Sequence, residues 1–322
     1  MITLVAADAA QRGSDHGTGM LALPGVWYWC GGWPALAIVG RVGARLAGYL
    51  AVLGLAGSSG TARLVAGQFH DVVLAGEVAY RFPRDEESRR KLPAVVALLV
   101  ALGQAGLPVP VPLATSHLQS PLGRCHVPLT RLTGQPLGQM SGQRAEVAVV
   151  IELARLLDRL AGLGSDQAVQ NLVPRAGADH CAAFAGQVRR VLYPLMTNAG
   201  RRRAGAELAA VTALTATGGA LVHNDLGGAN LLWTTSGGVP KLAGVVDWDD
   251  SRIGDQASDL ASIAVTTGWP LAERIETHRR RATRPMLADA KIIAATFALQ
   301  QALPAALNGD QASLDDGLRD YR

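Results

Sequence analysis

The stretch from Leu221 to Asp250 constrains this chain more than any other part of it. An apolar pair, Leu221-Val222, leads into His223-Asn224-Asp225. Four residues then separate Asp225 from Asn230, which opens the apolar run Leu231-Leu232-Trp233. The Gly- and Ser-containing segment 234–239 reads as a hairpin turn, and Leu242 to Val246 as the returning strand, ending at Asp247. Antiparallel pairing puts Asn230 just before one strand and Asp247 just after the other. Both therefore emerge at the open end of one hairpin, on strands roughly 5 Å apart. Asp225 lies on the loop entering the same end.

That arrangement offers two oxygen ligands for a hard cation, Asn230 and Asp247, with a third carboxylate beside them. Magnesium takes few protein ligands and completes its shell with water and phosphate oxygens. Phosphoryl transfer needs such a metal and a carboxylate that orients the attacking hydroxyl. A carboxylate is too weak a base to ionise an alcohol beforehand, so it accepts the proton late, as the oxygen bonds to phosphorus. An Asp followed by Asn at this distance is common in turns, and a lone His is more often structural than catalytic. The discriminating feature is the complete order of strand, His-x-Asp, four residues, Asn, hairpin, strand and Asp, which kinase signatures share. The segment reads as part of a nucleotide-dependent transferase.

The rest of the chain organises around it. Leu64–Ala66, Asp71–Leu74 and Val78–Phe82 are short apolar runs punctuated by Gly67 and Ala75-Gly76, a strand meander. In the first turn, Gly67, Gln68, Phe69 and His70 are candidates for nucleotide contact, because glycine lets backbone approach a phosphate. A helix is expected over 93–102 with Pro93 in its first turn, and a strand over 125–132. Thr133–Pro136 reads as a turn, where a small sheet-rich lobe (61–135) gives way to a helical lobe (136–322). Apolar residues at Val147, Val150, Ile151, Ala154, Leu157 and Ala161 predict a helix after Ser141. Further helices are expected over 182–196, 204–214 and 288–303.

Residues 1–60 read as an extension of uncertain order, and residues 1 to about 55 as dispensable for folding of the catalytic part. Residues 17–40 carry no charge and are long enough to span a bilayer, but six glycines, Pro24 and Pro34 interrupt them. Asp8, Arg12 and Asp15 are not the basic flank of a signal peptide. The reading is therefore against a membrane anchor. The net charge of +4 sits largely in Arg201–Arg203 and Arg279–Arg281. Neither cluster has interleaved aromatics, so both read as solvated faces and not as nucleic-acid contacts. Cys30, Cys125 and Cys181 form no CxxC pair, and His180 beside Cys181 reads as structural. A reducing cytoplasm fits.

Asp225 to Asn230, followed by Val245-Val246-Asp247-Trp248, resembles the aminoglycoside phosphotransferase and choline kinase superfamily. Ile253-Gly254-Asp255-Gln256-Ala257-Ser258-Asp259-Leu260-Ala261 is similar to that family's downstream Gly-Asp-Pro-x-x-Asp-Leu-Ala element, and Tyr80-Arg81-Phe82-Pro83-Arg84 to its third strand. The resemblance implies an α+β, two-lobed protein-kinase-like fold with a β-rich nucleotide-binding lobe and a helical acceptor-binding lobe. It makes Asp225 the base, Asn230 and Asp247 the Mg2+ ligands, His223 a support of the loop, and Arg81 the clamp on ATP or GTP. Asp255 and Asp259 would brace the loop and cap the next helix. The chain departs from the pattern at Asn224 (for Gly), Gly228 and Gln256 (for Pro) and Arg81 (for the Lys of protein kinases). Residues 88–119 hold no Asp or Glu, leaving Glu86 or Glu87 to pair with Arg81.

The implied activity is phosphorylation of a hydroxyl on a small molecule, with an aminoglycoside as one candidate acceptor. A metabolite kinase of sugar-amine, homoserine or choline type and a nucleotide-binding pseudokinase are the alternatives. For a cationic acceptor, Asp249, Asp250, Asp315, Asp316 and Asp320 are the candidate contacts. The oligomeric state is not legible.

Overall fold

The computed structural model describes residues 35–58, 62–67, 69–137, 143–175, 179–214, 218–279 and 286–322. Among these, one compact unit comprises the residues up to Arg90 together with Leu113–Arg131, and the other comprises Lys91–Pro112 and Leu132–Arg322. Gln68, Ser141, Cys30 and the uncharged stretch up to residue 34 lie outside the described residues.

The smaller unit holds helix α1 (Ala35–Val52) and strands β1 (Arg63–Ala66), β2 (His70–Ala75), β3 (Val78–Pro83) and β4 (Val127–Thr130). The strands form one antiparallel sheet in chain order. A two-residue turn joins β2 to β3, with Gly76 at φ 56°. Leu46, Tyr49 and Leu50 of α1, and Leu53 just after its end, recur at helical spacing and pack on Val73 and Phe82 of the sheet. The Tyr49 ring stacks on Phe82 at 4.2 Å, and Phe82 stacks on His126 at 5.0 Å. Buried Asp71 of β2 ion-pairs with Arg45 and accepts the Tyr49 hydroxyl at 2.8 Å. Burial, then the Asp71 carboxylate, push the Tyr49 phenol up to about 12.

Residues 35–58 are therefore not an extension. They supply the helical layer of the sheet's core, and dispensability for folding does not follow. The glycines at 40, 43 and 48 and the uncharged run before them hid the stripe.

Helix α2 (Glu86–Gln104) crosses the division between the units. It starts before the expected Pro93, because Asp85 caps it: Ser88 N–H donates to Asp85 Oδ1 at 2.7 Å and Arg89 N–H to Asp85 O at 3.0 Å. Pro93 thus sits inside the helix, leaving the carbonyl four residues back without its helical donor. The polar opening Glu-Glu-Ser-Arg-Arg-Lys carried no apolar period to reveal it.

The larger unit continues with β5 (Gln135–Pro136), α3 (Gln143–Leu163), α4 (Gln167–Gln170), α5 (His180–Val191), α6 (Asn198–Thr212), β6 (Ala220–Val222), β7 (Leu231–Ser236), β8 (Val239–Val245) and β9 (Arg252–Gly254). Helices α7 (Ala257–Thr267), α8 (Trp269–Arg279), α9 (Met286–Ala295), α10 (Phe297–Asn308) and α11 (Gln311–Gly317) complete it. One sheet runs β5-β7-β8, and β6 pairs with β9. The expected turn at Thr133–Pro136 is partly strand: Gln135 and Pro136 pair with Trp233 and Leu232, and β5 is an edge that tolerates proline. The run expected over 182–196 closes as α5 at Val191 and a short 3-10 turn at Tyr193–Leu195.

The expected helix over 288–303 is two helices broken at buried Thr296. Met286–Asn308 is long and apolar enough to cross a membrane by length and composition. Its Leu299, Ala302 and Leu303 are nevertheless buried in a cluster with Val188, Leu192 and Leu208 of the α5–α6 region. Tyr321 closes that cluster, its hydroxyl on Glu207 at 2.6 Å and its carbonyl accepting Thr197 N–H at 3.1 Å. The basic cluster expected to be solvated is partly internal, since Arg279 is buried against Asp158 at 2.9 Å and Gln256 at 2.8 Å.

Truncating Leu50 to alanine removes a side chain that is 1% exposed. It should cost about 2–5 kcal/mol, read as a lowered midpoint in urea. A chain starting at residue 56 should lose cooperative melting of the sheet unit. Unchanged midpoints would show that α1 contributes nothing to that core.

Candidate active site

Strand β6 delivers His223, Asn224 and Asp225 to the loop that precedes the β7–β8 hairpin. The hairpin register places Leu231 opposite Val245, so Asn230 and Val246 flank its open end. Val246 N–H donates to Asn230 O at 3.0 Å, which extends the pairing by one residue. Among the described residues, only Asn224 (φ 68°) and Asp247 (φ 69°) are non-glycine residues in the left-handed region. Asn and Asp tolerate that conformation best, and its clustering here marks a backbone shaped against local preference.

Asn230 ties the loop to the hairpin. Its Nδ2 donates to the Asp225 main-chain oxygen at 2.8 Å and to Asp225 Oδ2 at 3.0 Å. Its Oδ1 accepts no hydrogen bond among the described residues. Burial holds the Asp225 carboxyl above the usual range; the Asn230 amide opposes this and the Asp250 charge adds to it.

His223 is fully buried, and both ring nitrogens face protein groups. Nε2–H donates to Val246 O at 2.9 Å, and Nδ1 accepts Asp225 N–H at 3.3 Å. These partners define the neutral Nε2–H tautomer. The ring also meets Trp248 edge-on at 4.7 Å. Asp259 of α7 accepts His223 N–H at 3.1 Å and Asn224 N–H at 2.8 Å. Asp255 caps α7 through Ala257 N–H at 2.9 Å.

The other sequence candidates lie in the smaller unit. Gly67 N–H donates to His70 O at 2.9 Å, closing the β1–β2 turn, and a Cβ at Gly67 would fall 2.5 Å from that oxygen. That amide is therefore committed to the turn. Phe69 is exposed, and its carbonyl accepts Arg84 N–H at 2.8 Å. Arg81 is buried on β3, with Nη2 3.0 Å from His70 Nδ1. Arg84 reaches the Gly67 carbonyl at 2.5 Å. Glu86, one of the two acids available to Arg81, pairs with Arg89 on the exposed face at 2.7 Å.

Arg252 escaped the sequence reading, and so did the partners of Gln256. Arg252, at the start of β9, donates to Asn224 Oδ1 at 2.5 Å and lies 3.2 Å from His180 Nε2. Gln256 stands where the resembling pattern has proline; it donates to Leu157 O at 2.6 Å and accepts from Arg279. The departures at Asn224 and Gln256 were visible, but their partners lie 28 and 99 residues away.

Residues 61–307 match the phosphotransferase enzyme family. The chain belongs to that family. It is a small-molecule phosphotransferase with a kinase-like, two-lobed α+β fold. It is 40% identical over 260 residues to viomycin phosphotransferase of Streptomyces vinaceus, covering 80% of this chain and 91% of that one. Among solved structures it is similar to the GDP and kanamycin complex of APH(2")-IIia, with a TM-score of 0.72 and 18% identity over 81% of this chain and 91% of that one. It is also similar to the macrolide 2'-phosphotransferase MphH from Brachybacterium faecium, with a TM-score of 0.63 and 19% identity over 85% and 98% of the two chains.

Burial lowers the His223 pKa to about 4, with the Val246 hydrogen bond opposing. The unfolded value is near 6.5, so the unfolded chain binds the extra proton between these two values. Stability from this group is present above about pH 6.5 and is lost as pH falls toward 4, by about 3 kcal/mol in all. In His223→Gln, the fall in denaturation midpoint between pH 6.5 and 4 should be shallower than in wild type. Equal slopes would show that His223 does not titrate with unfolding.

Proposed function

We propose that this enzyme transfers the terminal phosphate of ATP or GTP to a hydroxyl of an antibiotic, with viomycin as the first acceptor to test. The 40% identity spanning 91% of viomycin phosphotransferase carries the choice of acceptor. Asp225 is the proposed base. Its carboxylate, held by Asn230 and kept from full solvation, would align the acceptor hydroxyl and receive its proton as the new P–O bond forms. His223 is a positioning residue: its two hydrogen bonds hold the Asp225 amide and the Val246 carbonyl, the neighbours of the reacting loop and of Asp247.

Asn230 Oδ1 and the Asp247 carboxylate would hold Mg2+, a donor set of hard oxygens that suits this ion. When bound, the metal supplies neutralisation of the phosphate charge. On the smaller unit, Arg81 is the proposed phosphate clamp, with the Gly67–His70 turn as the neighbouring nucleotide contact. The nucleotide donor also fits the expected cytoplasmic setting.

The carboxylates offered for a polycationic acceptor are less favourable. Asp315 pairs with Arg322 at 2.5 Å and accepts Gln311 at 2.7 Å, Asp316 pairs with Arg319, and Asp320 lies 3.4 Å from Arg203. Each of these three sits in an ion pair, two within the C-terminal segment and one to Arg203 of α6, not in an open anionic surface.

The test is nucleoside diphosphate release with viomycin, kanamycin and a macrolide, together with the mass of the acceptor product. Viomycin should gain one phosphoryl group. Asp225→Asn should lower kcat by about 10²–10⁴-fold with nucleotide KM little changed. Near-normal turnover by Asp225→Asn would reject the assignment of the base. Arg81→Ala should raise nucleotide KM by about tenfold, and Arg81→Lys should restore part of it. An unchanged nucleotide KM would move the clamp elsewhere on the sheet. Failure to phosphorylate any of the three antibiotics would remove the proposed acceptor class.

A further inference from the structure

The larger unit contains a cavity of about 330 Å³ whose wall includes Asn224, the residue bonded directly to Asp225. Arg252 of β9, His180, Cys181 and Phe184 of α5, Asp289 of α9 and Gln300 of α10 also line it. A guanidinium carries five N–H donors. In Arg252, hydrogen bonds to Asn224 Oδ1 and His180 Nε2 engage two of them. Both partners are neutral, because burial, then the Arg252 charge, hold the His180 pKa below its usual value. Arg252 has no ion pair and no further hydrogen bond among the described residues; Cys181 first, then Asp250 and Asp259, act on it only through longer-range attraction.

A desolvated guanidinium facing a cavity without a carboxylate in contact is costly to keep. It becomes favourable when an occupant supplies oxygen acceptors for its free donors, as a carboxylate or an amide-type carbonyl does. We infer that this cavity receives the acceptor, and that Arg252 is its specificity-determining residue, hydrogen-bonding a carbonyl, ureido or carboxylate oxygen of the substrate. The bond from Arg252 to Asn224 would then fix that oxygen relative to the neighbouring Asp225. An ammonium in the same place meets a like charge. Asp289 and Asp255 also line the cavity. Asp255 already caps α7 through Ala257 N–H, and Asp289 lies on α9.

The assignment rests on the proposed phosphotransfer to an antibiotic, and the experiment separates the two. Steady-state kinetics with viomycin should show acceptor KM raised at least about tenfold in Arg252→Met, partly restored in Arg252→Lys, with nucleotide KM within about twofold. Asn224→Gly keeps the left-handed backbone without strain and removes the Arg252 anchor, so it should raise the same KM without lowering the melting temperature. A purely structural role for Arg252 would change melting and both KM values together.

The second arm needs no turnover. Iodoacetamide modification of Cys181, followed by peptide mass mapping, should be slowed by viomycin in wild type and not in Arg252→Met. Acetylurea or acetate should protect Cys181 at high concentration, and ethylammonium should not. If wild type phosphorylates no antibiotic, the acceptor class falls while this arm still decides the cavity. Unchanged viomycin KM in Arg252→Met, or equal protection by ethylammonium and acetate, would overturn the role of Arg252.

Discussion

The site hangs on one buried carboxylate. Asp259 is fully buried in the first turn of α7, where its two oxygens take the backbone N–H groups of His223 and Asn224. Burial pushes its pKa up to about 7, while those two bonds and the Arg252 charge pull the other way. A carboxylate stripped of water needs such donors to stay charged. The positive end of the α7 dipole favours the same charge. Because eight consecutive residues of α7, Ala257 to Ala264, are buried, the helix has no freedom to follow a shifting loop. The loop is therefore referenced to the core of the larger unit through two amides.

With that end held, the remaining geometry follows by short links. Asn224 takes a left-handed turn, which sends Asp225 toward Asn230. His223 spans the gap from the loop to the hairpin, and Trp248 backs it while donating to Val245 O at 3.0 Å. Asp247 takes the second left-handed turn at the far end of the same bridge. The Asp225 and Asp247 backbones are thus fixed from both sides of one buried imidazole. Its neutrality matters here: a charged ring would donate from Nδ1, and would then meet the Asp225 N–H as two opposed donors.

The local parts of this were legible in sequence. The hairpin, its open end and the approach of Asp225 to Asn230 are separated by few residues, and strand alternation with glycine turns announces them. What stayed hidden depends on distant pairing or on weak local signal. The α1 stripe is written at Leu46, Tyr49, Leu50 and Leu53, but glycine-rich sequence around it masks the period, and only the sheet gives the stripe something to cover. Pro93 pointed to a helix start, although the Asp85 cap and tertiary burial of Leu92, Val95, Val96 and Leu99 outweigh its missing donor. Arg279 looked like one member of a solvated basic run. Its partner Asp158 is 121 residues away.

The departures from the family pattern show the same logic more sharply. A proline before α7 needs no partner, whereas Gln256 brings two hydrogen-bonding groups into a buried position. Both are used, one on the Leu157 carbonyl and one on Arg279, so the substitution joins α3, α7 and α8 where proline would leave them in apolar contact alone. A glycine at 224 would meet the left-handed backbone without cost. Asn224 carries some strain there and adds a side-chain oxygen that only Arg252 uses. The two departures differ in what surrounds them. Gln256 is enclosed by protein, and both of its amide groups meet protein partners. Asn224 opens on a cavity, and the cation it holds still has donors to give. A buried polar residue whose own groups all meet protein contributes rigidity. One whose network ends at a cavity, next to the proposed base Asp225, can read what enters.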